Sequence, residues 1–264
     1  MDTVRGDAVR GNAVRGARTV VTGAGGGIGA ALARRFAAEG ARVVVNDLDV
    51  DKAKAVADEI GALAVPGDAS RVVPEARAAL GGGIDIYCAN AGVAPVGGPE
   101  ADELLWADAW DVNVMAHVRA ARELLPEWLE RGGGRFVSTV SAAGLLTMVG
   151  SAPYSVSKHA ALAFAEWLST TYRHRGVSVH AICPQGVRTD MLRATGATGD
   201  IVLVPTAIEP EQVADALFDG IAQERFLILP HPEVAEYYAA RATDTDRWLT
   251  HMNHLQRKVE EAAG

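Results

Sequence analysis

Along most of its length the chain alternates short, apolar, β-branched runs with longer stretches of helical period. Seven runs stand out: RTVVTG (18–23), ARVVVND, ALAVPGD, GIDIYCANAG, GRFVSTVS, GVSVHAICP and RFLILP. After the first, Ile28, Leu32 and Phe36 recur at four-residue spacing up to Gly40, a residue suited to a left-handed C-cap. VDKAKAVADEI then reads as a helix ending at Gly61, and longer helical stretches cover about 103–131 and 154–175. Pro66 weakens the third run near its end. Strands separated by helices of this length form right-handed βαβ units around a parallel sheet. Helices on both faces explain why the runs are continuously apolar rather than alternating. The expectation is an α/β, doubly wound, three-layer sandwich on a mostly parallel seven-stranded sheet.

No Pro- or Ser-rich linker divides the 264 residues, so 18–264 are expected to form one domain. Before it, VRGDAVRGNAVRG (4–16) repeats every five residues and reads as a flexible basic tail, 1–17. Its RGD tripeptide is a product of that repeat and carries no weight. Apolar residues at 49% and charged residues at 22% suit a protein that buries a sizeable core. A net charge of −8 argues against nucleic acid or an anionic membrane surface as the main partner. Cys88 and Cys183 form no CxxC pair and lie in strand-like runs, as buried free thiols of a reducing cytosol do. No apolar run approaches the roughly 20 residues that cross a bilayer. A cytoplasmic location is expected.

VTGAGGGIGAAL joins the first strand to the first helix. Glycines there adopt backbone angles closed to other residues and let the main chain approach a pyrophosphate at the helix N-terminus. Asp47 follows at the end of the second strand, 18 residues after Gly29. A carboxylate at that place accepts hydrogen bonds from a ribose diol and repels a 2′-phosphate. No arginine follows Asp47 closely and none lies in the turn, which favours NAD over NADP. Asp49 competes for the same role.

Several motifs in order resemble the short-chain dehydrogenase/reductase family, in its shorter single-domain branch. TGAGGGIG (22–29) is similar to the family's TGxxxGxG turn, and DVNV, GDAS, NAG and YSVSK fall in family positions over about 18–190. The resemblance implies a Rossmann-type fold with Gly23, Gly27, Ile28 and Gly29 at the cofactor and Asp47 on its ribose. It implies Asp68 and Ala69 at the adenine, and Asn90, Ala91 and Gly92 beside the cofactor, with Ala89 where a second asparagine is common. Pro184, Gly186, Val187 and Thr189 are implied on the nicotinamide side. There CPQGVRT departs from the family's Pro-Gly, because Gln185 holds the usual glycine position. Asn113, Ser141, Tyr154 and Lys158 are the implied catalytic set, with Ser141 standing 13 residues before Tyr154. Tyr154 and Lys158 are implied to touch the cofactor as well. A homotetramer or homodimer is implied too.

Removing hydride from an alcohol carbon also requires a base for the hydroxyl proton. A tyrosine titrates at about 10, and bringing it to about 7 takes about 4 kcal/mol of preferential phenolate stabilisation. Lys158, one helical turn from Tyr154, is placed to supply part of that. In the family reading Ser141 holds the substrate oxygen, Asn113 fixes a proton-relaying water and Lys158 also bonds the nicotinamide ribose. The segments GLLTMVGSAP and DMLRATGATGDIVLVP are mostly apolar, and the second suits a mobile lid over a moderately hydrophobic secondary alcohol or ketone. Arg188 and Arg193 keep a phosphorylated substrate open. Trp106 and Trp110 read as core or subunit contacts. His251 and His254 read as surface residues with no carboxylate or cysteine to complete a metal set, so no metal is expected. The chain beyond FLILPHPEV reads as a helical extension that caps either the pocket or a subunit interface. Two alternatives stand beside the NAD-dependent dehydrogenase: an NADP-linked carbonyl or acyl reductase, and a non-catalytic dinucleotide sensor on the same fold.

Overall fold

Residues 14–195 and 199–263 are described by the structure, a computed structural model. The seven apolar runs become strands β1 (Arg18–Val21), β2 (Arg42–Val45), β3 (Leu63–Ala64), β4 (Ile86–Ala89), β5 (Gly134–Thr139), β6 (Val177–Ile182) and β7 (Leu227–Ile228). They form one sheet in the order β3-β2-β1-β4-β5-β6-β7, and every pairing is parallel. The third strand is only two residues long, consistent with Pro66 and Gly67 following it. Strand order reverses between β1 and β4, which opens a crevice at their C-terminal ends.

Register sorts the core into two halves. Val20, Val44, Tyr87 and Phe136 align across the sheet and pack with Leu80, Leu124, Trp128 and Leu162. These side chains come from α3 (Val72–Leu80), α5 (Ala116–Arg131) and α7 (Ala152–Tyr172). One residue along each strand, Val21, Val45, Cys88 and Val137 face Leu32, Phe36, Val56 and Leu217. That layer is α1 (Gly27–Ala38), α2 (Val50–Ile60) and α9 (Pro210–Ala222). The remaining helices are α4 (Glu103–Trp110), α6 (Ala143–Leu146), α8 (Asp190–Arg193), α10 (Glu233–Thr243) and α11 (Thr245–Ala263).

Three details depart from the expected picture. The long helical stretch from Glu103 is interrupted by a π-helical turn, Asp111–Met115, between α4 and α5. Such turns insert an extra residue and re-aim a side chain, here Asn113. Val14–Ala17, expected in the tail, are seated on the fold: Val14 is buried, and Gly16 donates its N–H to Gly40 O at 2.7 Å. The rest of the repeat lies outside the described residues. Trp110, expected in the core or at a subunit contact, is about half exposed, which excludes the first of these. Both cysteines are buried and unpaired, and burial pushes the Cys183 thiol up to about 12. Among the described residues no helix is long and apolar enough to cross a membrane, and no His/Cys/Asp/Glu group is arranged to hold a metal.

Two histidines are folded into the interior. His117 on α5 lies 3.1 Å from Ser138 Oγ through Nδ1, its Nε2 has no partner, and burial beside Lys158 drives its pKa down to about 3. His180 on β6 faces Arg225 O at 2.6 Å, and burial brings it to about 4. Both are neutral in the fold, whereas in the unfolded chain they take up protons below about pH 6.5. Their depressed folded pKa values therefore contribute stability that is complete above about pH 6.5 and lost as pH falls towards about 4 for His180 and about 3 for His117. The melting temperature should drop over that window. His117→Asn, which keeps a partner for Ser138 and cannot titrate, should make the drop shallower; an unchanged profile would show that His117 is not the sensor.

Candidate active site

At the end of β1, Thr22 ties two strands together. Its Oγ1 donates to Cys88 O at 3.2 Å and accepts from the N–H groups of Asn90 at 2.9 Å and Ala91 at 3.1 Å. The Asn90 amide returns the favour, donating to Thr22 O at 2.9 Å and Gly23 O at 3.2 Å. Side chains would not fit this junction. A Cβ on Gly29 would stand 2.2 Å from Gly23 O, and Gly23, at φ +60°, would meet Ala91 Cα at 2.8 Å. Helix α1 has Gly26 as its N-cap and so no side chain on its first N–H groups, which leaves donors at the positive end of a helix dipole.

The two candidate acids divide their labour. Asp49 is spent as the N-cap of α2, accepting from Asp51 and Lys52 N–H. Asp47 lines the cavity; its Oδ2 accepts from Gly25 N–H at 2.9 Å and its Oδ1 from Asp49 N–H at 3.0 Å. Each oxygen keeps a lone pair for a further donor. Beside it, Asn46 is fully buried with its amide hydrogens on Val65 O and Gly67 O, while its Oδ1 has no partner. A glycine cradle that a Cβ would fill, uncapped helix N–H groups and a carboxylate at the strand end together fit a nicotinamide dinucleotide.

The same cavity, of about 850 Å³, runs on to the catalytic candidates. Its wall carries Gly23, Gly27, Ile28, Gly29, Asp47, Asp68, Ala69, Asn90, Ala91, Gly92, Ser141, Tyr154, Lys158, Pro184, Gly186, Val187 and Thr189. Of the cofactor-binding and catalytic residues that the family resemblance implied, Asn113 alone is not on that wall. It is fully buried behind it, donating to Val93 O at 2.9 Å and Ser157 Oγ at 3.0 Å and accepting from Val93 N–H at 3.0 Å. Both amide hydrogens are therefore spent on the protein, and the side chain braces the loop after β4.

Ser141 follows β5, its Oγ accepting from Ala143 N–H at 3.1 Å. Lys158 is buried, donates to Thr139 O at 3.1 Å and lies 5.7 Å from the centre of the Tyr154 ring. Burial lowers the lysine to about 8. Burial also pushes the Tyr154 phenol up, and the neighbouring Ser141 hydroxyl pulls it back only in part. The expectation that Lys158 brings the tyrosine down thus meets a stronger opposing cost, since desolvation penalises the phenolate and the ammonium alike.

Where the chain departs from the family at Gln185, the main chain is held in place. Gln185 N–H donates to Nδ1 of the buried His231 at 3.1 Å, and His231 Nε2 reaches Thr206 O at 3.2 Å. Gly186 supplies the close approach instead: a Cβ there would stand 2.2 Å from Leu203 O. Thr189 caps α8, accepting from Leu192 N–H at 3.4 Å. Residues 196–198 of the expected lid lie outside the described residues. Arg188 pairs with Glu209, Arg193 with Asp190, and neither lines the cavity.

Lys52 is a wall residue that the sequence reading did not place. Of the two places expected for the C-terminal extension, the pocket is occupied: Tyr237, Trp248, His251, Met252 and Leu255 from α10 and α11 line it, residues the sequence reading did not name for that role. His251, expected on a plain surface helix, is one of them. The 4-then-3 spacing of Trp248, Met252 and Leu255 marks an apolar stripe. Nothing in it says which surface the stripe faces.

The sequence model of the short chain dehydrogenase family matches residues 17–200. The 1-deoxy-11-beta-hydroxypentalenate dehydrogenase of Streptomyces exfoliatus is 37% identical over 237 residues, 81% of this chain and 82% of the relative. Among solved structures, a short chain dehydrogenase/reductase from Burkholderia phymatum in complex with NAD superposes with a TM-score of 0.80 at 28% identity, covering 88% of this chain and 95% of that one. A 7 alpha-hydroxysteroid dehydrogenase complexed with NADH and 7-oxo glycochenodeoxycholic acid gives 0.72 at 25% identity, over 83% and 94%. With the motifs, the fold and most of the chain matched, this protein belongs to the short-chain dehydrogenase/reductase family of oxidoreductases.

Proposed function

We propose that the protein is an NAD-dependent dehydrogenase that interconverts a secondary alcohol and a ketone on a moderately hydrophobic small molecule. One observation carries this reading: a single cavity joins the glycine turn and Asp47 at one end to Ser141, Tyr154 and Lys158 further along. Two of the relatives agree in kind, being named as dehydrogenases of a hydroxypentalenate and of a hydroxysteroid.

Bound nicotinamide, when oxidised, supplies the hydride acceptor and a further positive charge. The chain supplies the rest. The Ser141 hydroxyl holds the substrate oxygen at the end of β5, and Tyr154 takes its proton. Lys158 is protonated over most of the neutral range, because its pKa of about 8 lies above it, and its ammonium favours the phenolate. Lys158 is buried, so little water competes for its ammonium, while Tyr154 stands at the cavity wall where substrate can reach it. Asn113 acts from behind by fixing the loop that carries Asn90–Gly92, rather than by presenting its amide to a water.

Asp47 favours a ribose diol over a 2′-phosphate through charge repulsion and through the acceptor it keeps free. Lys52, on the same wall, is a feature that favours the NADP-linked alternative; it lies 3.9 Å from Asp190, which draws its charge away. A homodimer or homotetramer in the cytoplasm is part of the proposal, and exposed Leu104 and Trp110 on α4 with Val156 and Trp167 on α7 are apolar area available for such contacts.

Tyr154→Phe should abolish alcohol oxidation while NAD affinity, followed by fluorescence titration, stays within a few-fold of wild type. Full turnover in that variant would remove Tyr154 as the base. Asp47→Ala should shift the ratio of NAD to NADP affinity by about tenfold or more towards NADP. A wild type that already prefers NADP would overturn the assignment of the cofactor.

A further inference from the structure

We infer that the C-terminal helical pair, α10 and α11, is the wall that selects the substrate, and that it selects a bulky alcohol with an apolar body bearing no phosphate or coenzyme-A group. This inference rests on the dehydrogenase reading of the cavity and names the substrate class of that same site. The helices lie beyond residues 17–200, so the match to the family says nothing about them.

Helix α11 carries Trp248, Met252, Leu255 and Val259 on one stripe. Had the stripe served only to glue the helix to the fold, all four would be buried. Val259 is buried, whereas Trp248, Met252 and Leu255 are only partly covered and line the cavity. They line the same cavity as Ser141 and Tyr154, and the preceding helix is tied to Leu145 in the segment after Ser141. Tyr237 of α10 joins them, its ring centre 6.3 Å from that of Trp248.

The facing walls match. Leu146, Met148 and Val149 come from the segment after Ser141, and Met191, Leu192 and Leu203 from the segment after Thr189. Among the described residues no arginine lines the cavity, and of its two lysines Lys52 is paired with Asp190 beside the glycine turn and Lys158 donates to Thr139 O. A phosphate or a coenzyme-A tail would give up its hydration with no uncommitted cation to replace it. An apolar ring system would release ordered water from both itself and three apolar walls.

The helical pair is held by a polar clamp as well as by packing. Arg241 of α10 donates to Leu145 O, four residues after Ser141, and its Nη1 lies 3.2 Å from His159 Nε2. His159 Nδ1 faces Ser155 O at 2.9 Å, so Nδ1 carries the proton and Nε2 accepts from the arginine. His159 follows Lys158 directly. Arg241 therefore fixes the wall relative to both the Ser141 segment and the helix of Tyr154 and Lys158, and its role is positioning.

The test compares Trp248→Ala, Met252→Ala and Arg241→Met with wild type on two alcohols, decahydronaphthol and cyclopentanol. Trp248→Phe is the conservative control. The alanine variants should lose about tenfold or more in kcat/KM on decahydronaphthol and stay within about twofold on cyclopentanol. Arg241→Met should raise KM for the larger alcohol more than it lowers kcat. Trp248→Phe should recover most of the loss, and NAD affinity should not change in any variant. Equal losses on both alcohols, or none on either, would overturn the inference. Calorimetric binding of decahydronaphthol is measured in parallel, without turnover. Weaker binding in the alanine variants with no oxidation by wild type would uphold the wall and reject the dehydrogenase, while unaltered binding would reject the wall.

Discussion

Every strand of the sheet runs in the same direction, and the placement of the functional groups follows from that constraint. Parallel strands put all their C-terminal ends on one edge, and the reversal of order between β1 and β4 opens that edge into a crevice. The glycine turn, Asp47, Asn90–Gly92, Ser141 and Pro184–Thr189 each follow a strand, so they converge without any of them being close in sequence. Thr22 and Asn90 then lock the two central strands where the crevice begins. A sheet with one antiparallel strand among these would send one group to the far edge.

Electrostatics at the catalytic end is a contest between burial and charge. Desolvation raises the Tyr154 phenol and lowers the Lys158 ammonium, which opposes the ionised pair that base catalysis needs. The chain reduces the cost with a hydroxyl at Ser141 and a backbone carbonyl at Thr139, both polar and neither charged. A positive charge brought in beside the phenol acts in a low-dielectric setting where it has most effect. A tyrosine that stays protonated until such a charge arrives keeps the proton-transfer step tied to an assembled site.

Much of the front of the site was legible in the sequence, because its residues are constrained by local spacing. The glycine turn needs its glycines by sterics, Asp47 ends a strand, and Tyr154 and Lys158 share a helix face. The back and the roof were less legible. Asn113 was expected at a water, yet a π-helical turn that no periodicity announces turns its amide towards Val93 and Ser157. Gln185 read as a disturbed turn, while in the fold its N–H meets His231, 46 residues away, and Gly186 takes over the close approach. Trp248 and His251 read as residues of an extension, since only tertiary packing decides which way an amphipathic helix faces. The boundary of the tail moved for the same reason: Val14 looked like part of a repeat until Gly16 paired with Gly40.

The most direct test of the cavity as a dehydrogenase site is NAD reduction by the wild-type protein across a panel of secondary alcohols that includes fused-ring compounds, with NADP in parallel. Reduction of NAD by at least one apolar alcohol, faster than that of NADP, is the predicted result. Tight NAD binding with no reduction by any alcohol, and no oxidation of NADH by the matching ketones, would contradict it and identify a dinucleotide sensor.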